Sequence, residues 1–187
     1  MNWTALDLSA GQHHALRCSE ESQREQWLDS ICLHLQQQSI RYGLLHQQGA
    51  LLGNLSTLQN ILLPASWQQP QAEQALEARL HTLFAQLGFA DHNALHWLNK
   101  RPNQLTSVQQ RAAIIVRALL TEPTVLVCDE PWFVEQNRAE LQLLQQADVL
   151  CRPCCWLVVY ADALPALAQI NWQHHELTEL ALEKVAV

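Results

Sequence analysis

The sequence predicts an α/β fold in which a mainly parallel sheet is covered by helices on both faces. Short apolar runs of strand length alternate with longer segments whose apolar residues recur at helical spacing. Two runs, 125–128 and 156–160, are apolar throughout, as is typical of strands buried in a parallel sheet. The chain has 187 residues, which is enough for one domain with a hydrophobic core, and we therefore predict a single domain over 1–187.

Strands are predicted at 15–18 and 40–45, with a helix at 22–38 between them. Ser22 and Glu25 have the spacing of a capping box, so this helix is expected to cap its own N-terminus. The residues that define its apolar face are Trp27, Leu28, Ile31, Cys32 and Leu35.

The rest of the chain is predicted to be mainly helical before and between the two apolar strands. Pro64 is expected to end the first of these helices and Gly88 the second. The predicted helices span 56–63, 71–87, 108–120 and 140–147.

Charge and hydropathy exclude several classes of protein. Eleven Lys and Arg against eighteen Asp and Glu give a net charge of −7, and no basic tract is present, so nucleic acid is not an expected partner. Neither a membrane-spanning run nor a signal peptide is recognisable, which favours a cytoplasmic protein whose six cysteines are thiols. An enzyme, a binding subunit and a scaffold all remain open.

The strand at 125–128 leads directly into Asp129 and Glu130. In a parallel α/β sheet the carboxyl ends of the strands face the ligand crevice. An aspartate there can hold Mg²⁺ and a following glutamate can orient a water for attack on a phosphate. The alternative is an ordinary acidic turn.

The residues around this strand resemble the ATP-binding-cassette (ABC) ATPase family. Residues 104–111 resemble the family's signature loop, with Thr106, Ser107 and Gln109 at its polar positions, and a helix ending in Arg-Ala-Leu leads from them to the Walker B strand. The resemblance implies a P-loop NTPase fold with a helical subdomain at about 65–105, in which Gln47 is the Q-loop glutamine and 133–137 the D-loop. The sequence motif at 49–64 most resembles the cassettes of MCE-type lipid transporters.

The segment that the resemblance places at the phosphate-binding loop lacks the residues that bind phosphate and Mg²⁺. Alignment from Ala15 places Cys18, Glu21 and Gln23 at glycine positions, Arg24 at the lysine and Glu25 at the hydroxyl that would bind Mg²⁺. Residues with a Cβ do not easily adopt positive φ, and carboxylates repel phosphate. We therefore expect no cofactor; the alternative is ATP with Mg²⁺. Asp129 and Glu130 are then a relic of the Walker B motif or retained turn chemistry; the alternative hypothesis is that Asp129 forms a salt bridge with Arg24.

Other family positions depart from the pattern too. The signature glycines are replaced by Ser107 and Val108, and Thr106 with Gln109 has the spacing of a second capping box. The switch histidine is replaced by Ala161, and Trp3 is a poor substitute for an adenine-stacking aromatic residue. The N-terminal antiparallel part of the fold is expected to be truncated.

Two further motifs favour structural interpretations. Cys151, Cys154 and Cys155 lack a second CxxC pair, so buried thiols are favoured over zinc, and no metal site is predicted. The adjacent pairs His13-His14 and His174-His175 point to opposite faces of a strand and are not expected to act together as ligands. Trp132, near the D-loop, is predicted either to contact a partner subunit or to pack in the core, and the sequence favours neither.

The sequence thus predicts a catalytically degenerate ABC-transporter subunit that binds or regulates without hydrolysing ATP. By resemblance, 47–64 and 71–104 would dock on a membrane permease, placing the chain in the cytoplasm or on the inner face of the cell membrane. It would pair with itself or with an active ABC ATPase. The alternatives are a weakly active ATPase that uses Asp129, Glu130 and Gln47, and a free-standing scaffold.

Overall fold

A computed structural model describes residues 6–46, 51–68, 73–89, 92–129, 138–161 and 171–177. The chain divides into two compact units. The sheet unit comprises Met1–Gln47, Thr124–Val134 and Arg152–Val187, and the helical unit comprises Gln48–Pro123 and Glu135–Cys151. The predicted single domain with a helical insertion at about 65–105 stays a prediction.

The sheet unit is built on five strands in the order β2-β3-β4-β1-β5, and every pairing between them is parallel. The predicted α/β class is therefore correct. The last strand was not predicted, because its sequence, QHHEL, has only one apolar residue. The strands are β1 His13–Cys18, β2 Tyr42–Leu45, β3 Val125–Asp129, β4 Cys155–Tyr160 and β5 Gln173–Leu177.

The core of this unit lies between the sheet and α1, which spans Arg24–Gln37. Every residue of β3 and β4 is buried, as the apolar runs predict. Because successive side chains of a strand alternate between faces, Val125 and Val127 share one face of β3 and belong to the same cluster as α1. The helix buries Trp27, Leu28, Ile31 and Leu35, as its spacing predicts, whereas Cys32 is only partly buried.

The helical unit contains α2 Thr57–Gln68, α3 Glu73–Gln86, α4 Ser107–Leu120 and α5 Arg138–Cys151, together with 3₁₀ segments at His92–Asn99 and Pro102–Gln104. The central helix is α4, which packs against the other three. Phe84, Phe89 and Trp97 meet edge to face with ring centroids 5.4–6.0 Å apart. None of the described helices is long and apolar enough to cross a membrane.

Two predicted helix ends are wrong. Pro64 does not end its helix but lies inside α2. The φ angle of proline is compatible with a helix, but proline has no N–H to donate to the carbonyl of Asn60. The residues after Pro64 nevertheless remain helical. The predicted capping box at Ser22 and Glu25 is absent, since α1 begins at Arg24 with no side-chain cap and the Ser22 hydroxyl donates to Glu20 at 3.1 Å instead.

Two other predicted ends are correct. Gly88 follows α3 with φ +88°, a backbone conformation that glycine adopts without a Cβ penalty. The capping box at the start of α4 is complete. The Gln109 amide donates to the Thr106 hydroxyl oxygen at 3.3 Å, and the Thr106 amide donates to the Gln109 side-chain carbonyl at 3.0 Å.

This difference between the two caps is testable. Thr106→Ala removes the acceptor for a helix-terminal amide and should lower the free energy of unfolding in urea by about 1 kcal/mol. Ser22→Ala, at an exposed hydroxyl that caps nothing, should change it by less than about 0.5 kcal/mol. Equal losses in the two variants would contradict the assignment of the caps.

Candidate functional site

The ends of the paired strands β2 and β3 and the start of α1 converge on Asp129. Asp129 is the last residue of β3, and His46 directly follows β2, the strand paired with β3. Arg24 opens α1 after the turn that leaves β1. Because parallel strands end at the same edge of a sheet, this topology brings residues far apart in the chain to one place.

Asp129 and Arg24 form a buried ion pair. The Arg24 Nε lies 2.6 Å from the Asp129 Oδ1, and the two side chains are 11% and 2% exposed. The His46 Nε2 lies 3.6 Å from the Asp129 Oδ2, and the exposed Glu21 pairs with the Arg24 guanidinium from the other side. The predicted salt bridge between Arg24 and Asp129 is therefore confirmed.

The physical role of this contact follows from burial. An ionised carboxylate removed from water loses several kcal/mol of solvation unless a cation stands beside it. Arg24 is that cation. Removing Asp129 would leave Arg24 with only the exposed Glu21, and removing Arg24 would leave Asp129 with only His46, so the cluster ties the start of α1 to the end of β3.

The segment at the P-loop position, 18–25, has the conformation of an ordinary turn. Residues Glu21–Gln23 form a 3₁₀ turn, and no residue of this segment has positive φ. Short side-chain hydrogen bonds close it locally, since the Ser19 hydroxyl donates to the Gln23 side chain at 3.1 Å. A loop that surrounds phosphate with backbone N–H groups needs glycine-like conformations, and this turn has none.

The signature segment belongs to the helical unit and is engaged in its own helix. Ser107 and Val108 are the first residues of α4, at the positions that the resemblance assigns to glycines. The side-chain oxygens of Thr106 and Gln109 each accept a hydrogen bond from the backbone amide of the other residue. These polar groups therefore serve the helix terminus, as predicted.

Several predicted site residues lie outside the described residues. They are Gln47, Glu130, Trp132, the segment 133–137 and Trp3. Glu25, at the Mg²⁺ position, is exposed in the first turn of α1, and Ala161, at the switch position, is buried. Their predicted roles stay predictions.

The cysteine cluster shows no sign of metal chemistry within the part of the chain that the structure describes. Cys151, Cys154 and Cys155 are buried and form no disulfide, and no three metal-ligating side chains are grouped together in the described residues. Burial raises the pKa of Cys155 to about 12 and also raises that of Cys154. Thiolate is the form that binds metal or attacks a substrate, so these residues are suited to packing.

Sequence reasoning missed the approach of His46 to Asp129, the contact of Glu21 with Arg24 and a second buried ion pair. His46 could have been found by its position directly after β2, at the same sheet edge as Asp129. In the helical unit, the Arg111 Nε lies 3.9 Å from the Glu140 Oε1 across α4 and α5. Burial lowers the pKa of Arg111 and the Glu140 carboxylate opposes that shift.

Two comparisons with known sequences bear on this site. Residues 6–132 match the family model described as ABC transporter. A "Macrolide export ATP-binding/permease protein MacB" of Rhodopseudomonas palustris (strain HaA2) is 37% identical over 111 residues, 59% of this chain and 16% of that protein. Its counterpart in Aggregatibacter actinomycetemcomitans is 37% identical over 93 residues, 50% of this chain and 14% of that protein. The matched region is thus a small part of these relatives.

Solved structures show the fold. A bacterial ABC transporter cassette determined as a dimer matches with a TM-score of 0.67 and 18% identity, over 91% of this chain and 84% of that one. A post-hydrolysis state of an ATP-binding cassette bound to ADP and Pi matches with the same score over 93% and 86%. The sequence relatives named above are macrolide exporters, so the predicted affinity to MCE-type lipid transporters stays a prediction. With more than half of its length matched by the family model, the chain belongs to the ABC transporter family.

Proposed function

We propose that this chain is a non-hydrolysing binding or regulatory subunit of a membrane transporter, in which the former nucleotide site is closed by its own side chains. The observation that carries the proposal is the buried contact between Arg24 and Asp129. By family resemblance, these two residues stand where a nucleotide phosphate and Mg²⁺ would be held. In this chain they neutralise each other.

The residues around the contact do not fit a Mg²⁺–nucleotide complex. The ion pair alone would not exclude it, since Arg24 could turn to a phosphate while Asp129 turned to the metal. The decisive features are the turn at 18–25, which lacks any residue with positive φ, and the exposed carboxylates of Glu21 and Glu25. At 4 Å from a phosphate, each carboxylate costs on the order of 4 kcal/mol at an effective dielectric constant of 20.

We further propose that residues 51–68 contribute to docking on a permease. Asn60 is 2% exposed and holds the preceding loop against α2. Its side-chain oxygen accepts from the Leu52 amide at 2.6 Å, and its amide donates to the carbonyls of Leu52 and Ser56 at 3.0 Å each. On this ordered segment Leu52 and Leu63 are 48% and 40% exposed. Exposed apolar side chains on ordered backbone favour protein contact. A subunit docked in this way would lie at the cytoplasmic face of the membrane, paired with itself or with an active ABC ATPase.

A weakly active ATPase is the second candidate. It is favoured by the retention of Asp129 at the end of a buried strand and by relatives that are named ATP-binding proteins. A related cassette was solved with ADP and Pi bound. These comparisons favour ATP and Mg²⁺ as cofactors, so the absence of both in this chain stays a proposal.

The ion pair predicts a stability signature. Asp129→Ala should lower the free energy of unfolding in urea by about 3–5 kcal/mol, because it leaves the Arg24 charge buried. The double variant with Arg24→Met should lose less than the sum of the two single losses. The matched control, Glu25→Gln in the same turn but exposed, should stay within about 0.5 kcal/mol of the parent. Additive losses would mean that the pair is not coupled.

Nucleotide binding separates the two candidate functions. A fluorescent ATP analogue with Mg²⁺ should show no saturable binding at micromolar concentrations, because the turn at 18–25 offers no cradle of backbone amides. Micromolar affinity that Asp129→Asn abolishes and Glu25→Gln leaves intact would refute the closed site and favour the weakly active ATPase.

Docking is tested by recovery of a permease from detergent-solubilised membranes and its identification by mass spectrometry. Leu52→Asp and Leu63→Asp should each reduce recovery at least tenfold, about 1.4 kcal/mol of binding free energy. Leu141→Asp, on α5 of the same unit and similarly exposed at 47%, should leave recovery unchanged. Recovery of no permease by the parent protein would favour the free-standing scaffold.

A further inference from the structure

Two histidines from neighbouring strands meet near the edge of the sheet. The Nδ1 of His14 on β1 lies 3.0 Å from the Nε2 of His175 on β5, and the ring centroids are 5.2 Å apart. In the ladder His14 pairs with Gln173 and Leu16 with His175, so the two rings meet diagonally on one face. His14 is 1% exposed, and His175 is partly buried.

The hydrogen-bond partners restrict how many protons this pair can hold. The second ring nitrogen of His14, Nε2, lies 2.8 Å from the carbonyl oxygen of Asp7. A carbonyl only accepts, so this nitrogen carries a hydrogen and a neutral His14 has its lone pair on Nδ1. His175 then donates its Nε2–H to that lone pair. One hydrogen lies between the rings, and a second would set two N–H groups and two positive charges face to face.

We infer that β5 is a proton-sensitive strand, clamped to β1 by the His14–His175 hydrogen bond and released when both rings become protonated. The titratable and charged groups around the pair are few among the described residues. They are the Asp7 carboxylate, the Cys155 thiol of β4, His174 with the Tyr160 hydroxyl 3.5 Å away, and the exposed Arg17–Glu176 pair at 3.6 Å.

The sign of the pH dependence follows from His175. Burial, His14 and His174 lower its pKa from the ordinary value. Once β5 is detached from the sheet, the pKa of His175 returns towards its ordinary value, so the detached strand binds the proton more readily than the attached one. The clamp is therefore complete above the ordinary histidine pKa of about 6.5 and is lost as the pH falls below it.

Besides its backbone ladder with β1 and the contacts of Gln173 with Gln12 and of His174 with Tyr160, β5 has few buried side-chain contacts, which is why the His14–His175 hydrogen bond matters. The strand ends the described sheet and pairs there with β1 alone. Leu177 is its one buried side chain, at 2% exposure, and the other four are exposed or partly exposed. The Arg17–Glu176 pair is exposed at both side chains and contributes little.

Hydrogen exchange of the whole chain at pH 7.5 and pH 5.5, corrected for intrinsic rates, tests the inference. Protection of the β5 amides should fall by up to about tenfold per pH unit, the slope for one extra proton, while β3 keeps its protection. His175→Gln, whose amide can donate to His14 without titrating, should abolish this response. The control His174→Gln should preserve it. Equal loss in β3, or a response that survives His175→Gln, would overturn the inference.

A second measurement covers the case in which His175→Gln does not fold. The imidazole resonances of His14 and His175 are followed in the unaltered protein by NMR during an acid titration. The second ring should take its proton only as the β5 amide signals shift or broaden. Protonation of both rings while β5 stays intact would refute the clamp.

Discussion

A carboxylate at the end of a fully buried strand is the constraint on which the sheet unit depends. Asp129 is 2% exposed at the side chain, so its charge requires a cation within contact distance. The elements that meet at the same edge of the parallel sheet can deliver it, and Arg24 does so from the first turn of α1. This contact fixes where α1 begins, and it holds the turn after β1 against the end of β3. The partly buried His46 joins the same carboxylate from the end of β2.

This constraint connects the fold to the proposed function. In the family to which the chain belongs, the ends of these strands and the start of this helix are where the resemblance assigns nucleotide contacts. In this chain Asp129 forms an ion pair with Arg24, and Thr106 and Gln109 cap the helix to which they belong. In the proposed function this frame holds no nucleotide and binds a protein partner. Its exposed apolar side chains at Leu52 and Leu63 are the proposed place for that contact.

Periodicity predicted most of the elements but not all of their ends. The strands β1 to β4 and the helices α1, α3, α4 and α5 follow from apolar spacing, because burial imposes that spacing on the sequence. The strand β5 lacks the signal, since an edge strand with exposed side chains needs no apolar run. Ser22 shows the limit of a local rule: it lies inside the 3₁₀ turn Glu21–Gln23 and α1 begins only at Arg24, so the predicted cap does not form. The same spacing at Thr106 predicts the cap correctly, because α4 begins directly after Thr106 and its hydroxyl accepts from the Gln109 amide.

The amino-acid order alone was enough for the α/β class, for the elements with strong periodicity and for the family resemblance, because each rests on short-range patterns. The salt bridge between Arg24 and Asp129 was foreseen only through that resemblance, which supplied the strand order in advance. The approach of His46 to Asp129 and of His14 to His175 came from the fold, since the order β2-β3-β4-β1-β5 sets remote residues side by side. Adjacent histidines in the chain point to opposite faces, whereas His14 and His175 lie two register positions apart on paired strands and share a face, and spacing along the chain cannot reveal that.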